Sequence, residues 1–343
     1  MKKIFTLFIS IGILISVKAQ DIHFSQFYAS PLTLNPANVG VFNGNIRGVL
    51  NYRSQWTSFA PFNTFAGSVD MNFGQNILND DLFGFGVNFF SDKAGDADFS
   101  TQQVNVSFGY IKTLGKRFSR SYLSMGFQGG IAQRSLDYAA LTFGSQYNGY
   151  EYDPSMPNGE TIGFDSFSFL DLSGGVSYLF VPKDRLNLLM GIAFYHVNTP
   201  NMSFSGSDKD NLYMKISGNI GAQIPVADAI DIIPSVLVLN QGPHNEYNFG
   251  VSFKYYLNEK SVNPTSFSLG AMQRMGNSSG GLNSDATIIT ARFDYLGFSA
   301  GLSYDINVSD LRNASNSFGG PELSIVYTSP LPHRDRKVDC PRF

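Results

Sequence analysis

From residue 46 to residue 328 apolar and polar residues alternate one for one, segment after segment, with turn-rich stretches between the segments. A period of two marks β-strands with one apolar face. Phe65, Gly67, Val69 and Met71 interleave with Thr64, Ala66, Ser68 and Asp70; Phe83, Phe85, Val87 and Phe89 interleave with Gly84, Gly86 and Asn88. Leu170, Leu172, Gly174, Val176, Tyr178 and Phe180 likewise oppose Asp171, Ser173, Gly175 and Ser177. These runs last about ten residues or more, where soluble strands peak near 5 to 6 and membrane strands need roughly 9 to 11. The apolar rows carry no charge, as contact with lipid demands, since a charge at mid-depth costs roughly 2 to 4 kcal/mol. Tyr110, Tyr255, Tyr295 and Tyr327 close such rows, as interfacial girdles do. The pattern predicts an all-β fold: a transmembrane, antiparallel, up-and-down β-barrel of about 14 strands. A secreted β-sandwich is the weaker alternative, because its strands are shorter.

An even count puts both termini on one side, expected to be the periplasm, and every odd-numbered connection outside. Residues 113–120, 181–187, 224–228 and 296–297 then form short periplasmic turns. The longer connections 132–166, 198–210, 274–285 and 307–318 fall outside. Two segments fit poorly. Residues 188–197 are apolar on both faces, and Pro234 interrupts 230–239, which implies a bulge there or a miscounted strand.

The ends of the chain differ from the middle. Met1-Lys2-Lys3, an apolar run from Ile4 and the small residues closing at Ala19 form a cleavable signal peptide over 1–19. The expected division is therefore signal peptide 1–19, a periplasmic amino-terminal segment 20–45, barrel 46–329 and a periplasmic tail 330–343. Composition agrees: 15% of residues are charged, against a usual figure of roughly 25%, while aromatics reach 14% and glycines number 34. A net charge of -3 favours neither nucleic acid nor a polybasic membrane contact, and the single Cys340 allows no intramolecular disulfide.

Candidate chemistry is sparse. None of His23, His196, His244 and His333 lies in a serine-hydrolase motif, and His196, continuing the row of Leu188, Met190, Ile192 and Phe194, is expected at the membrane rim. Asp92, Asp96, Asp98, Asp208 and Asp210 do not have calcium-loop spacing and read as solvated loop. The inward row carries both signs, among them Arg47, Arg53, Asp70, Asp171, Lys215, Lys254, Arg292, Asp294, Asp305 and Glu322, which predicts internal pairing rather than an ion filter. No phosphate loop, zinc spacing or dinucleotide fingerprint is present. No catalytic residue, metal or cofactor is expected.

The stretch before the first strand is distinctive: Asp21-Ile22-His23-Phe24-Ser25-Gln26-Phe27-Tyr28, then Pro31, then Asn35-Pro36-Ala37 and Gly40. Asn-Pro and Gly by themselves mark turns. With Arg47, the run Tyr52-Arg53-Ser54-Gln55-Trp56, Asp92-Lys93-Ala94-Gly95, residues 133–137 and 141–144, and the closing Cys340-Pro341-Arg342-Phe343, the chain resembles the PorP/SprF family. The resemblance implies a bacterial outer-membrane barrel without enzymatic activity, beside the type IX secretion and gliding machinery of Bacteroidota. Its implied partners are components of that machinery, a secreted cell-surface protein such as an adhesin, and outer-membrane lipid. Residues 147–165 resemble the family least. An independent diffusion channel or small-molecule transporter is the alternative function.

Phe24, Phe27, Tyr28, Pro31, Leu32 and Leu34 give the amino-terminal segment enough apolar area that it has to be buried somewhere. It plugs the barrel or lines its rim, or it docks a periplasmic partner. The tail is a docking element or a lid.

Overall fold

The computed structural model describes residues 21–56, 61–74, 81–95, 97–114, 120–159, 164–183, 185–204, 210–258, 265–278, 281–309, 312 and 317–329. The expected signal peptide and the tail with Cys340, Pro341, Arg342 and Phe343 lie outside these residues.

Fourteen strands follow one another: β1 (Ile46–Gln55), β2 (Phe62–Phe73), β3 (Leu82–Ala94), β4 (Phe99–Leu114), β5 (Arg120–Ser135), β6 (Ser166–Lys183), β7 (Leu186–Tyr195), β8 (Lys215–Ala227), β9 (Ile230–Gln241), β10 (His244–Asn258), β11 (Thr265–Ser278), β12 (Gly281–Tyr295), β13 (Phe298–Asn307) and β14 (Phe318–Thr328). Each pairs antiparallel with its chain neighbours, and β1 pairs with β14, so the sheet closes into a barrel without edges. One mouth, the base, holds the start of β1 and the turn at 296–297. The other, the crown, holds the long connections 136–165 and 196–214.

Alternation sorts the side chains as expected of a barrel in lipid. Val69 (56% exposed), Phe127 (67%) and Leu170 (66%) point outward, whereas Asn105 and Asp171 (3% each) point into the lumen. This apolar-out, polar-in arrangement is the reverse of a soluble core. Among the described residues no helix is long and apolar enough to cross a membrane; the strands do so.

Three local expectations are corrected, and the two-faced apolar character of residues 188–197 is explained. Residues 274–285 are not a long connection: β11 and β12 pair out to Ser278 and Gly281. Their Gly, Asn and Ser content reads as loop, yet ladder bonds need only backbone, and beyond the bilayer no apolar face is required. Pro234 makes no bulge. It keeps register with Val251 of β10, and on the β8 side the ladder skips from Gly221–Ser235 to Ile224–Ile232 without a shift, so the missing N–H costs one local interruption. His196 does not sit at the membrane rim. It follows β7 with a left-handed backbone (φ 56°), which breaks the alternation and turns the ring inward, where it is 3% exposed. Finally, β7 is apolar on its inner face because Leu189, Ala193 and Tyr195 face an occupied lumen.

Candidate functional site in the barrel lumen

Residues 21–45 lie inside the barrel and traverse it from crown to base. Asp21 pairs at the crown with Lys215 and His196, and its N–H donates to Gln241 Oε1; Asn45 donates to Ser329 Oγ at the base. Between them the chain makes a 3₁₀ turn at Phe27–Ala29, one helical turn at Pro31–Leu34 and a second 3₁₀ turn at Pro36–Asn38. Pro31 and Pro36 each open a turn, where a missing N–H loses no bond.

Polar groups at the crown hold the segment by its backbone. The carboxylate of Glu322 accepts the N–H groups of Ser25 (2.7 Å) and Gln26 (2.8 Å), and Arg53 donates to the carbonyl of His23. Arg53 also pairs with Asp305 (2.8 Å), which pairs with Arg274 (2.9 Å) and accepts Ser25 Oγ (2.7 Å). The Gln26 side chain donates to Ser303 Oγ and accepts from Ser324 Oγ. Lumen charges therefore pair with one another and with the segment, instead of repeating one sign in a ring.

The middle of the segment rests on glycine. Gly84, Gly109, Gly126 and Gly175 are successive register partners across β3, β4, β5 and β6, so four strands present no side chain at one level of the lumen. A Cβ on any of them would come within 3 Å of the segment: Val39 at Gly84 and Gly109, Pro36 and Ala37 at Gly126, Asn35 at Gly175. Asn35 fixes the register of this contact. Its Nδ2 donates to the carbonyls of Val176 (3.1 Å) and Ile192 (3.3 Å), while its Oδ1 accepts the N–H of Ala37 (2.9 Å). Gly40, at φ 75°, passes so close to Gly84 that neither tolerates a side chain; its N–H donates to Asp70 and its carbonyl accepts from Asn72. Arg47 closes the base, bidentate on Asp70 (2.9 and 2.7 Å) and donating to the carbonyl of Asn38.

Apolar contacts complete the seat. Phe27 and Leu34, with Tyr28, pack on Leu237, Met272 and Ile288; Phe24 packs on Ala66 and Phe90; Val41 packs on Leu82, Ile111, Tyr122 and Leu179. At the crown His196 bonds Asp171 (2.8 Å) and Asp21 (3.2 Å). Burial disfavours its charge, but the two carboxylates outweigh that and raise its pKa to about 9. Burial likewise works against the Asp21 carboxylate, yet Lys215 and His196 hold its pKa below the ordinary value.

Of the distinctive residues, His23, Phe24, Gln26, Tyr28, Pro31, Asn35, Pro36, Gly40 and Arg53 are thus gathered in the lumen. Tyr52 is outward and 45% exposed, its hydroxyl donating to Asn63; Gln55 ends β1; Trp56 turns at φ 48° against Phe62. Tyr52 thus faces away from the segment, while Gln55 and Trp56 mark the crown end of β1. Sequence reasoning missed the glycine row and the Asp171–His196–Asp21 chain. The first had a signal: inner-row positions filled by Gly on four neighbouring strands leave a gap that something else has to fill. Among the described residues no group of three or more His, Cys, Asp or Glu could hold a metal ion.

A closed barrel with an apolar outer wall, a polar lumen and fourteen spanning strands defines an outer-membrane β-barrel protein. Residues 16–327 match the model of the type IX secretion system membrane proteins PorP/SprF, and the chain belongs to that family. No curated protein matches the chain in sequence. Similar solved structures include CdiB from Escherichia coli (10% identity, 84% of this chain and 64% of that one, TM-score 0.45). BamA from Haemophilus ducreyi lacking POTRA domains 1–3 (9%, 83% and 70%, TM-score 0.41) and the translocator domain of the autotransporter NalP from Neisseria meningitidis (9%, 82% and 87%, TM-score 0.33) are also similar. Overlaps this partial carry no argument about activity.

Proposed function

We propose that this protein is a non-enzymatic outer-membrane component of the type IX secretion machinery that assists secretion or surface attachment of a partner protein, such as an adhesin. The occupied lumen is the observation that carries this reading: residues 21–45 are bonded to the wall from crown to base. A barrel filled in this way is a poor conduit for a polypeptide or a bulk solute, so its work passes to its rims and outer wall, where machinery and cargo would dock. The same observation weighs against an independent diffusion channel. In this reading the base faces the periplasm and the crown faces outward, with the long connections on the outer side, so the barrel strands begin and end at the periplasm while Asp21 stands at the outer mouth, unlike the periplasmic amino-terminal segment expected from sequence.

Affinity capture of the tagged protein from its native membrane, followed by mass spectrometry, tests the assignment: secretion components and a secreted surface protein are expected, and recovery of neither would overturn it. In planar bilayers the intact barrel is expected to conduct little, and deletion of residues 21–40 to raise conductance several-fold. Equal conductance would remove the plug from the account while leaving the secretion role to the capture experiment.

A further inference from the structure

The lumen segment does not fill the barrel evenly. It lies against the glycine row on β3 to β6, and on the opposite side a cavity of about 110 Å³ remains between it and the wall from β7 through β14 to β1. One face of this cavity is apolar, formed by Phe27, Leu34 and Ile233; another is polar, with Asn219, Thr290 and Arg292. The charged residues among those lining it are Arg47 and Arg292, with no carboxylate.

The two arginines differ in how they are engaged. Arg47 is committed to Asp70. Arg292 gives Nε to Asp294 (2.9 Å) and Nη2 to Ser299 Oγ (3.1 Å), but its Nη1 finds no protein acceptor among the described residues, although the side chain is only 10% exposed. Asp294 is shared besides with Lys254 (3.0 Å). A buried guanidinium nitrogen without an acceptor is costly to leave so, and a cavity lined by arginine and no carboxylate, beside an apolar wall, selects an anion with an apolar body. A cavity of about 150 Å³ accommodates a benzene ring, so one of about 110 Å³ takes a smaller body, an aliphatic chain of two or three carbons.

We propose that this cavity binds a small amphipathic monocarboxylate, a short aliphatic acid whose carboxylate pairs with Arg292 and whose chain lies on Phe27, Leu34 and Ile233. The site is independent of the secretion role, since it needs neither machinery nor cargo.

Calorimetric titration of the intact barrel in nonionic micelles with propanoate at pH 7 tests it. Saturable one-site binding is expected, with propanamide and the Arg292→Gln variant each weaker by about ten-fold or more, the loss that follows removal of a charge-assisted hydrogen bond. Absence of saturable binding to the wild type, or equal affinity for the amide or in Arg292→Gln, would overturn the proposal. Should Arg292→Gln fail to fold, Ser252→Leu adds bulk to the cavity wall without touching an ion pair; propanoate binding unchanged in that variant would overturn it equally.

Discussion

Gly126 has no room for a methyl group, because an added Cβ would meet the backbone of Pro36 and Ala37. Neither neighbour can swing aside as a flexible side chain would. Gly126→Ala is therefore expected to cost about 1 to 3 kcal/mol, the range for overpacking, read as earlier proteolytic release of the segment or a lowered unfolding midpoint. Gly48→Ala is the matched control: nothing lies within 4 Å of its Cβ, and a change within about 0.5 kcal/mol is expected. The crown clamp makes a prediction in pH. His196 has its pKa raised to about 9 in the folded protein, against roughly 6.5 unfolded. Its contribution is full below about pH 6.5 and disappears as pH rises through 9. Asp21 has its pKa lowered, so its contribution is present above roughly pH 4 and fades as pH falls. The segment should be held most firmly between those limits and loosen in alkali. Nuclear magnetic resonance titration of the His196 ring, with protease sensitivity followed over pH 6 to 10, checks both; a ring pKa near 6.5 would contradict the clamp.

At the level of elements, the turn Asn35-Pro36-Ala37 and the glycine row are two halves of one contact. Asn35→Ala removes two bonds to strand carbonyls and one within the turn, an expected loss of about 2 to 3 kcal/mol in segment protection measured by hydrogen exchange. The strands themselves could be read from sequence because lipid outside and polar groups inside impose a period-two code on every residue that spans. The need to bury the segment could be read from its apolar residues, but its seat could not, since its turns obey no repeat and its partners lie up to 298 positions away. His196 was misread for a related reason. A single left-handed residue reverses a side chain, and no period announces it. The pairing of β11 with β12 out to Ser278 and Gly281 was hidden because outside the bilayer the code lapses while the ladder continues.

For the whole molecule, the arrangement of its ends is open to direct measurement. In a Cys340→Ser background, Tyr150→Cys in the crown connection (95% exposed) should react with an impermeant maleimide on intact cells. Leu296→Cys, 50% exposed at the base turn, should react only after the outer membrane is breached. The reverse pattern would invert the proposed orientation. Because Asp21 is held at the crown, an epitope placed just before it should follow Tyr150→Cys and not Leu296→Cys.

The grip of Glu322 on Ser25 and Gln26 also bears on how the protein is made. Those bonds join the start of the described chain to its last strand, 297 residues apart, and β14 is also the strand that closes on β1. Closing so long a loop is entropically costly and slows folding. A chain whose amino-terminal segment is out of place lacks a bonding partner at the closing strand. Glu322→Gln should then slow the appearance of the compact, heat-modifiable species during refolding into vesicles by several-fold. A refolding rate equal to that of the wild type would separate seam closure from placement of that segment.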